Sequence, residues 1–240
     1  MTGIVVVSNN GALSEDDVRR FVPGDFSFVA HDNSGMEFGG YQAGLDRVAA
    51  HGPDDVLIMN DTLGSHDHWG RNKLRCFARV VANHRQNGVV AGHVQCGEQS
   101  IVLKDRHASH WIRSNLFFID RVALEAVDGR LYYPEIDELV SDDPGSGTFF
   151  DPSLDPVAVA FLEWWLFSGD PDAWYGSRPL TDENWRFMAL KARSILQERY
   201  VSMLLADAKV SFLHTYVSPI GQIADQMEEG LGKVRSRIVR

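Results

Sequence analysis

The sequence lacks several features that would assign a chain to a class at once. It contains two cysteines, Cys76 and Cys96, and they form no CxxC pair. No apolar run approaches the roughly 18 residues that a bilayer-spanning helix needs, and no signal peptide is recognisable at the start. We therefore expect free thiols in a reducing compartment and a cytoplasmic location.

Basic residues are scarce relative to acidic ones. Lys and Arg total 23 against 33 Asp and Glu, which gives a formal net charge of −10. Non-specific nucleic-acid binders depend on neutralising phosphates, so this balance predicts no nucleic-acid partner, although a local basic pocket for a small anion stays open. The chain is 44% hydrophobic, which is enough for a core and too much for a disordered chain.

Apolar runs and helical patterns alternate over the first sixty residues. Strands are predicted at "GIVVVSNN", "DFSFVAHDN" and "DVLIMND". Helices are predicted between them at "SEDDVRRFV", with Ser14 as N-cap, and at "GGYQAGLDRVAAHG". This order predicts an α/β fold with a mostly parallel sheet, and ligands bind at the carboxyl edge of such sheets. All three predicted strands end in polar residues, which we expect to meet at that edge.

The rest of the chain combines strand and helix patterns up to a long polar segment and is mostly helical after it. A helix is predicted at "NKLRCFARVVANHRQNG", and strands at "GVVAGHVQ" and "SNLFFIDRVAL", the second running into a helix. Residues 142–156, "DDPGSGTFFDPSLDP", predict a surface loop. From Val157 onward the pattern is mostly helical. We therefore expect an α/β core over residues 1–156 and a helical part of the same domain over 157–240.

Two polar clusters follow predicted strands. Asp61 ends the third strand, where a carboxylate suits a hard cation carried by a phosphate substrate, or caps the next turn. The stretch "HDNSGMEFGGYQAGLD" places Asn33, Gly35, Gly39 and Gly40 before a helix. Small residues there let a nucleotide or sugar approach backbone N–H groups, or simply form a tight turn. The stretch is not a GxGxxG and follows the second strand, which disfavours a dinucleotide fold.

Four pieces together resemble the nucleotide-sugar half of GT-A glycosyltransferases, and most closely the rhamnan synthesis protein F-like branch. They are Asn33-Ser34-Gly35-Met36-Glu37-Phe38-Gly39-Gly40-Tyr41, then Asn60-Asp61-Thr62, then "HWIRSNLFFID", then Phe161-Leu162-Glu163. The resemblance covers roughly residues 4–170. Glu37 stands where an Asp is usual, and the single carboxylate Asp61 replaces the DxD of many metal-dependent members. The resemblance implies a GT-A, Rossmann-like fold with flanking helices.

The resemblance also implies an activity: inverting transfer of a sugar, hexosyl or rhamnosyl, in cell-surface polysaccharide synthesis. The donor would be a dTDP-, UDP- or GDP-sugar and the acceptor a glycan or lipid-linked glycan, bound on the side of the C-terminal helical part. Glu163 resembles the general base that takes the proton from the acceptor hydroxyl. Asp61, with the late His214 as a further ligand, would hold Mg²⁺ or Mn²⁺ against the diphosphate.

The remaining candidate residues divide between the two substrates. Those assigned to the donor are Ser8, Asn9, Asp32, Asn33, Gly35, Glu37, Gly39 and Asn60. Those assigned to the acceptor are His110, Arg113 and Ser114. Read from the residues alone, Glu163 is either kept for chemistry or lies on the exposed face of an amphipathic helix, and His214 is either a ligand or a core or surface histidine.

Two other functions remain open. His66 and His68, with Asp61 nearby, mimic the HxH of metal-dependent hydrolases. A non-catalytic module that binds a nucleotide sugar is the second. The C-terminal "GKVRSRIVR" carries four basic residues and no acid. It predicts either peripheral contact with anionic lipid at the inner face of the membrane or a solvated, frayed end.

Overall fold

The computed structural model describes residues 3–9, 11, 13–49, 55–63, 69–84 and 87–216, apart from the side chains of 98–100. The chain is α/β. Its described elements are, in chain order, β1 (Val5–Asn9), α1 (Glu15–Arg19), β2 (Ser27–His31), α2 (Met36–Ala49), β3 (Val56–Met59), α3 (Arg71–His84), β4 (Val89–Leu103), β5 (Arg106–Ile119), α4 (Arg121–Glu125), α5 (Pro134–Asp137), a 3₁₀ turn (Pro144–Ser146), α6 (Pro156–Phe167), α7 (Trp185–Asp207) and β6 (Ser211–His214).

The chain forms two compact units that are interleaved in the sequence. Unit 1 comprises Met1–Pro53, Gly97–Ser109 and Gly129–Leu204, and unit 2 comprises Asp54–Cys96, His110–Asp128 and Leu205–Arg240. The composition, by contrast, predicts one boundary near residue 156. Within the described residues no helix combines the length and the apolarity that crossing a membrane requires.

Unit 1 contains a two-stranded parallel sheet. β1 and β2 pair in a register that runs from Val5 opposite Ser27 to Asn9 opposite His31, so their polar ends coincide. Helix α1, between them, begins with the predicted cap. The Ser14 hydroxyl accepts from the Asp17 N–H at 3.2 Å, and the Asp17 carboxylate accepts from the Ser14 N–H at 3.1 Å. This reciprocal pair is a capping box, and it confirms the predicted helix start.

The stretch Gly129–Leu204 of unit 1 contains the predicted loop. In residues 142–156 the acids cap the loop's own turns: Asp143 accepts from the Gly145 N–H at 2.8 Å, and Asp151 accepts from the Ser153 N–H at 2.8 Å. Phe149 packs edge-on against Phe167 and Trp185, each with ring centroids 5.1 Å away. The loop is therefore ordered by short-range capping and by one buried aromatic anchor.

Unit 2 is built on a mixed sheet in the order β3-β5-β4-β6. β3 is antiparallel to β5, and β6 is parallel to β4. Helix α3 covers one face with an apolar cluster made of Phe77, Val80, Val89, Ala91, Leu116 and Phe118. The wholly buried Asp120 ties the base of β4 to α4, accepting N–H bonds at 2.8–3.0 Å from Asn87, Gly88 and Ala123.

The prediction of one mostly parallel sheet is therefore wrong. β3 belongs to the mixed sheet of unit 2 and not to the sheet of β1 and β2. A two-residue turn joins β4 to β5, and both of its residues, Lys104 and Asp105, have positive φ values of 49° and 63°. Turns of this kind connect hairpin strands, so the long central strands are set by the hairpin rather than by β-α-β crossovers.

Candidate ligand-binding site

The carboxyl edge of the small parallel sheet in unit 1 brings together three of the predicted donor residues, Asn9, Asp32 and Asn33, around His31. Asn9 and His31 are partners across the strand pair, and the Asn9 amide oxygen is placed 3.0 Å from His31 Nδ1. The same Nδ1 accepts the Asn33 N–H at 3.2 Å. The NH₂ group of Asn9 donates to the Met36 carbonyl at 3.4 Å, which keeps the amide oxygen on the side of Nδ1. His31 Nε2 lies 3.8 Å from the Asp32 carboxylate.

The turn Asp32–Gly35 leads from β2 into α2. Asn33 and Gly35 both have positive φ, at 70° and 68°, a conformation that favours Asn and Gly. The Ser34 N–H donates to Asp32 at 2.9 Å. The Ser34 hydroxyl and then this N–H lower the pKa of the Asp32 carboxyl, so it is ionised at neutral pH. The Asp32 side chain is 80% exposed, so the carboxylate faces solvent.

The predicted glycines at the start of α2 serve the chain's own packing. A Cβ on Gly39 would lie 1.8 Å from the Ser34 carbonyl oxygen, and one on Gly40 would lie 3.2 Å from the Asn9 amide. Both glycines are buried. The close backbone approach that Gly39 allows is therefore that of the Asp32–Gly35 turn onto the helix, which accounts for this glycine without a ligand.

Two other predicted donor residues lie beside this edge. Ser8 is buried, and its hydroxyl donates to the Leu13 carbonyl at 3.0 Å and accepts the Leu13 N–H at 3.2 Å, which closes the β1–α1 loop. Glu37 lies in the first turn of α2, where a carboxylate complements the helix dipole. With Asp32 it makes this edge acidic, which suits hydroxyl and N–H groups of a ligand better than a bare phosphate.

Two residues that the sequence did not indicate complete the surroundings of the turn. The Tyr132 ring lies against Gly35, where an added Cβ would come within 2.4 Å of it. Its hydroxyl donates to Asp137 at 2.8 Å. Burial, then the hydrogen bond and the charge of Asp137, raise the pKa of Tyr132 to about 12, and the Asp32 charge acts in the same direction. No local pattern marks Tyr132, because Gly35, against which its ring lies, is distant in sequence.

In unit 2 the predicted Asn60-Asp61-Thr62 group forms a turn at the end of β3. The Asn60 side-chain oxygen accepts from the Thr62 N–H at 3.1 Å and from the Thr62 hydroxyl at 2.7 Å. The Asn60 N–H donates to the Asn115 carbonyl at 3.2 Å, and the Asp61 side chain is exposed. Asp61 can thus meet a ligand from solvent, whereas the Asn60 amide oxygen is occupied by its own turn.

β5 carries the predicted acceptor residues and one unpredicted neighbour. Ser114 is buried and Arg113 is half-buried, while the His110 ring packs edge-on against Phe212 at 4.7 Å between centroids. Asn115 is 5% exposed, and neither atom of its amide finds a hydrogen-bond partner among the described residues. Sequence reasoning missed Asn115 because it reads as the polar start of an apolar strand.

The two metal ligands expected from the sequence, Asp61 and His214, both belong to unit 2. Within the described part of the chain, no group of three or more His, Cys, Asp or Glu side chains could hold a metal ion. His214 Nδ1 accepts the Tyr216 N–H at 3.0 Å, and its ring lies 5.3 Å from that of His93. His66, Asp67 and His68 lie outside the described residues, as does the basic C-terminal segment.

No protein-family model, curated protein or solved structure matches this chain.

Glu163 lies in α6 of unit 1, where it is the only charged residue of the helix and is exposed. Asp61 belongs to unit 2. The buried side of α6 is formed by Ala158, Leu162 and Leu166, so Glu163 lies on the solvent face of a helix that is otherwise apolar. An exposed carboxylate of this kind can accept a proton or a hydrogen bond from a bound hydroxyl group.

Proposed function

We propose that the chain is a glycosyltransferase that binds a nucleotide diphosphate sugar at the carboxyl edge of β1 and β2. The observation that supports this most directly is the parallel register that sets Asn9 beside His31 and directs the Asp32–Gly35 turn into α2. Ligands of α/β proteins bind at the carboxyl ends of parallel strands. The resemblance of this turn, of Asn60-Asp61-Thr62 and of Phe161-Leu162-Glu163 to GT-A glycosyltransferases supports the same reading.

In the proposed site the acidic edge binds the nucleoside half of the donor. The ionised Asp32 accepts hydrogen bonds from ribose hydroxyls or from N–H groups of the base, and its 80% exposure leaves the carboxylate accessible. In unit 2, Asp61 is proposed, from the resemblance alone, as a ligand of Mg²⁺ or Mn²⁺. Glu163 is proposed to accept the proton of the acceptor hydroxyl, and a GT-A-type fold remains part of this proposal.

Donor binding is tested by thermal shift with dTDP-, UDP- and GDP-sugars, each with and without Mn²⁺. We expect at least one to stabilise the wild-type protein, and Asp32→Ala to abolish the shift. Asp151→Ala is the matched control, because Asp151 is also exposed and also accepts the N–H of the serine two residues on, at 2.8 Å. Stabilisation that survives in Asp32→Ala, or that is lost equally in Asp151→Ala, would refute the assignment to this edge.

Catalysis is tested with Glu163→Gln, which keeps the side chain's size and removes its proton acceptor. Donor-induced stabilisation should be unchanged, while transfer to a glycan acceptor should fall by about 10²- to 10⁴-fold. Donor binding without transfer or donor hydrolysis in the wild-type protein would instead identify a binding module. Phosphoester or amide hydrolysis that is lost in His66→Ala would favour the hydrolase.

A further inference from the structure

Residues 129–133 of unit 1 are held by side-chain amides from two helices. Gln42 of α2 accepts the Leu131 N–H at 2.8 Å and donates to the Gly129 carbonyl at 3.3 Å. Gln197 of α7 accepts the Tyr133 N–H at 3.2 Å and donates to the Tyr133 carbonyl at 2.7 Å. The two glutamines thus make the backbone hydrogen bonds that a neighbouring strand would otherwise make.

These hydrogen bonds from Gln42 and Gln197, called the glutamine clamp below, fix the backbone on both sides of Tyr132. Leu131 and Tyr133 are buried, whereas Tyr132 between them is half-buried. Its ring lies against Gly35, and its hydroxyl donates to Asp137 at 2.8 Å. Asp137 in turn accepts from Gln197 at 2.9 Å. The Tyr132 side chain is thus held at its backbone by the glutamine clamp and at its hydroxyl by the Asp137 carboxylate.

The turn that this ring covers is otherwise held by its close approach to Gly39 and by short-range hydrogen bonds. Ser34 and Asp32 are exposed, and Asn33 and Gly35 have positive φ values, so we expect the ring contact to limit how far the turn can move. Movement of the turn would affect three short-range hydrogen bonds. They are Asn33 N–H to His31, Ser34 N–H to Asp32 and Met36 N–H to Asn33. A ligand that binds the Asp32 carboxylate depends on the turn keeping this conformation.

We propose that Tyr132 is a positioning residue of the donor site, which holds the Asp32–Gly35 turn in its binding conformation through ring contact with Gly35. This inference rests on the proposed function of that turn. The Tyr132 ring supplies the contact, and the chain of Gln197 and Asp137 supplies its orientation. Tyr132 need not touch the donor itself, because its effect passes through the backbone of the turn.

The first arm of the test needs no ligand. Hydrogen exchange of the backbone amides of residues 33–36 should accelerate at least about tenfold in Tyr132→Ala and stay near the wild-type rate in Tyr132→Phe, which keeps the ring. Tyr133→Phe is the matched control, since it removes a neighbouring hydroxyl that donates to Arg130 at 3.2 Å and leaves Tyr132 in place. Unchanged exchange in Tyr132→Ala would overturn the proposal whatever the protein binds.

The second arm measures the affinity of UDP, GDP and dTDP, each with Mn²⁺, by calorimetric titration. The nucleotide that binds the wild-type protein should bind Tyr132→Ala at least about tenfold more weakly, with affinity restored in Tyr132→Phe and unchanged in Tyr133→Phe. Equal affinity in wild type and Tyr132→Ala overturns the positioning role while the proposed function stands. If no nucleotide binds the wild type, the proposed function fails, and faster exchange in Tyr132→Ala then still supports control of the turn by the ring.

Discussion

The buried amide of Gln197 gives the sharpest prediction about stability. Its side chain is fully buried and makes three hydrogen bonds, two to the backbone of Tyr133 and one to Asp137. Gln197→Leu keeps a similar volume and removes all three. Asp137 retains the Tyr132 hydroxyl as a partner, and the Tyr133 carbonyl retains the Ile136 N–H at 2.9 Å, so the Tyr133 N–H is the group most affected.

The expected loss follows mainly from the hydrogen bond that Gln197 accepts from the Tyr133 N–H. Losing the partner of a buried donor costs about 1–3 kcal/mol, and the added apolar burial of Leu offsets the smaller loss of the other two bonds. We expect a net loss of about 1–3 kcal/mol in the free energy of unfolding. For a chain of this length each kcal/mol corresponds to about 2–4 °C, so the melting temperature should fall by about 2–12 °C.

Urea denaturation followed by far-ultraviolet circular dichroism, with a thermal scan beside it, measures this loss. Arg186→Leu is the control, because Arg186 is exposed on the same helix and an exposed substitution should stay within about 0.5 kcal/mol of wild type. A Gln197→Leu protein with the wild-type midpoint in both experiments would show that the glutamine clamp does not hold residues 129–133.

Three further predictions concern single groups. Asp120→Ala removes the buried acceptor of three backbone N–H groups and should cost about 2–4 kcal/mol in urea denaturation, so a loss below about 1 kcal/mol would contradict its anchoring role. Gly39→Ala places a Cβ 1.8 Å from the Ser34 carbonyl oxygen. The melting temperature of this variant should fall even without ligand, by an amount equivalent to about 1–3 kcal/mol. An unchanged melting temperature would mean that the turn shifts freely. The raised pKa of Tyr132 means that its contribution to stability is complete below about pH 10 and is lost as the pH rises through about 12. Ultraviolet difference spectra should therefore show one late-ionising phenol that is missing in Tyr132→Phe, and identical alkaline titrations in the two proteins would rule it out.

Local patterns predicted much of the secondary structure but not how the strands pair. The Ser14 cap, the helix of α7 and the strand that runs into α4 all follow from residues close together in the chain. The pairing of β3 with β5 joins residues such as Met59 and Leu116, and nothing near either residue indicates the other. The βαβ order predicts a parallel sheet of the first three strands, whereas among these three only β1 and β2 pair in parallel.

The candidate site likewise contains residues that local sequence patterns place together and residues that they do not. Asn9 and His31 could be placed together because both end parallel strands, and the polar strand ends are visible in the sequence. Tyr132 and Gln197 could not, because Gln197 meets its backbone partner 64 positions away. A glutamine on an amphipathic helix reads as a surface residue until the fold shows that it is buried.

The interleaving of the two units has a consequence for how the chain folds. Unit 1 draws on three separated stretches that end at Leu204, and unit 2 is completed by residues from Leu205 onward. Neither can form as a contiguous fragment emerging from the ribosome, and both depend on contacts between residues far apart in sequence. Such topologies fold slowly, because long loops must close before their contacts stabilise anything. Truncation at any point between residues 55 and 200 should therefore yield an aggregating chain rather than a folded half.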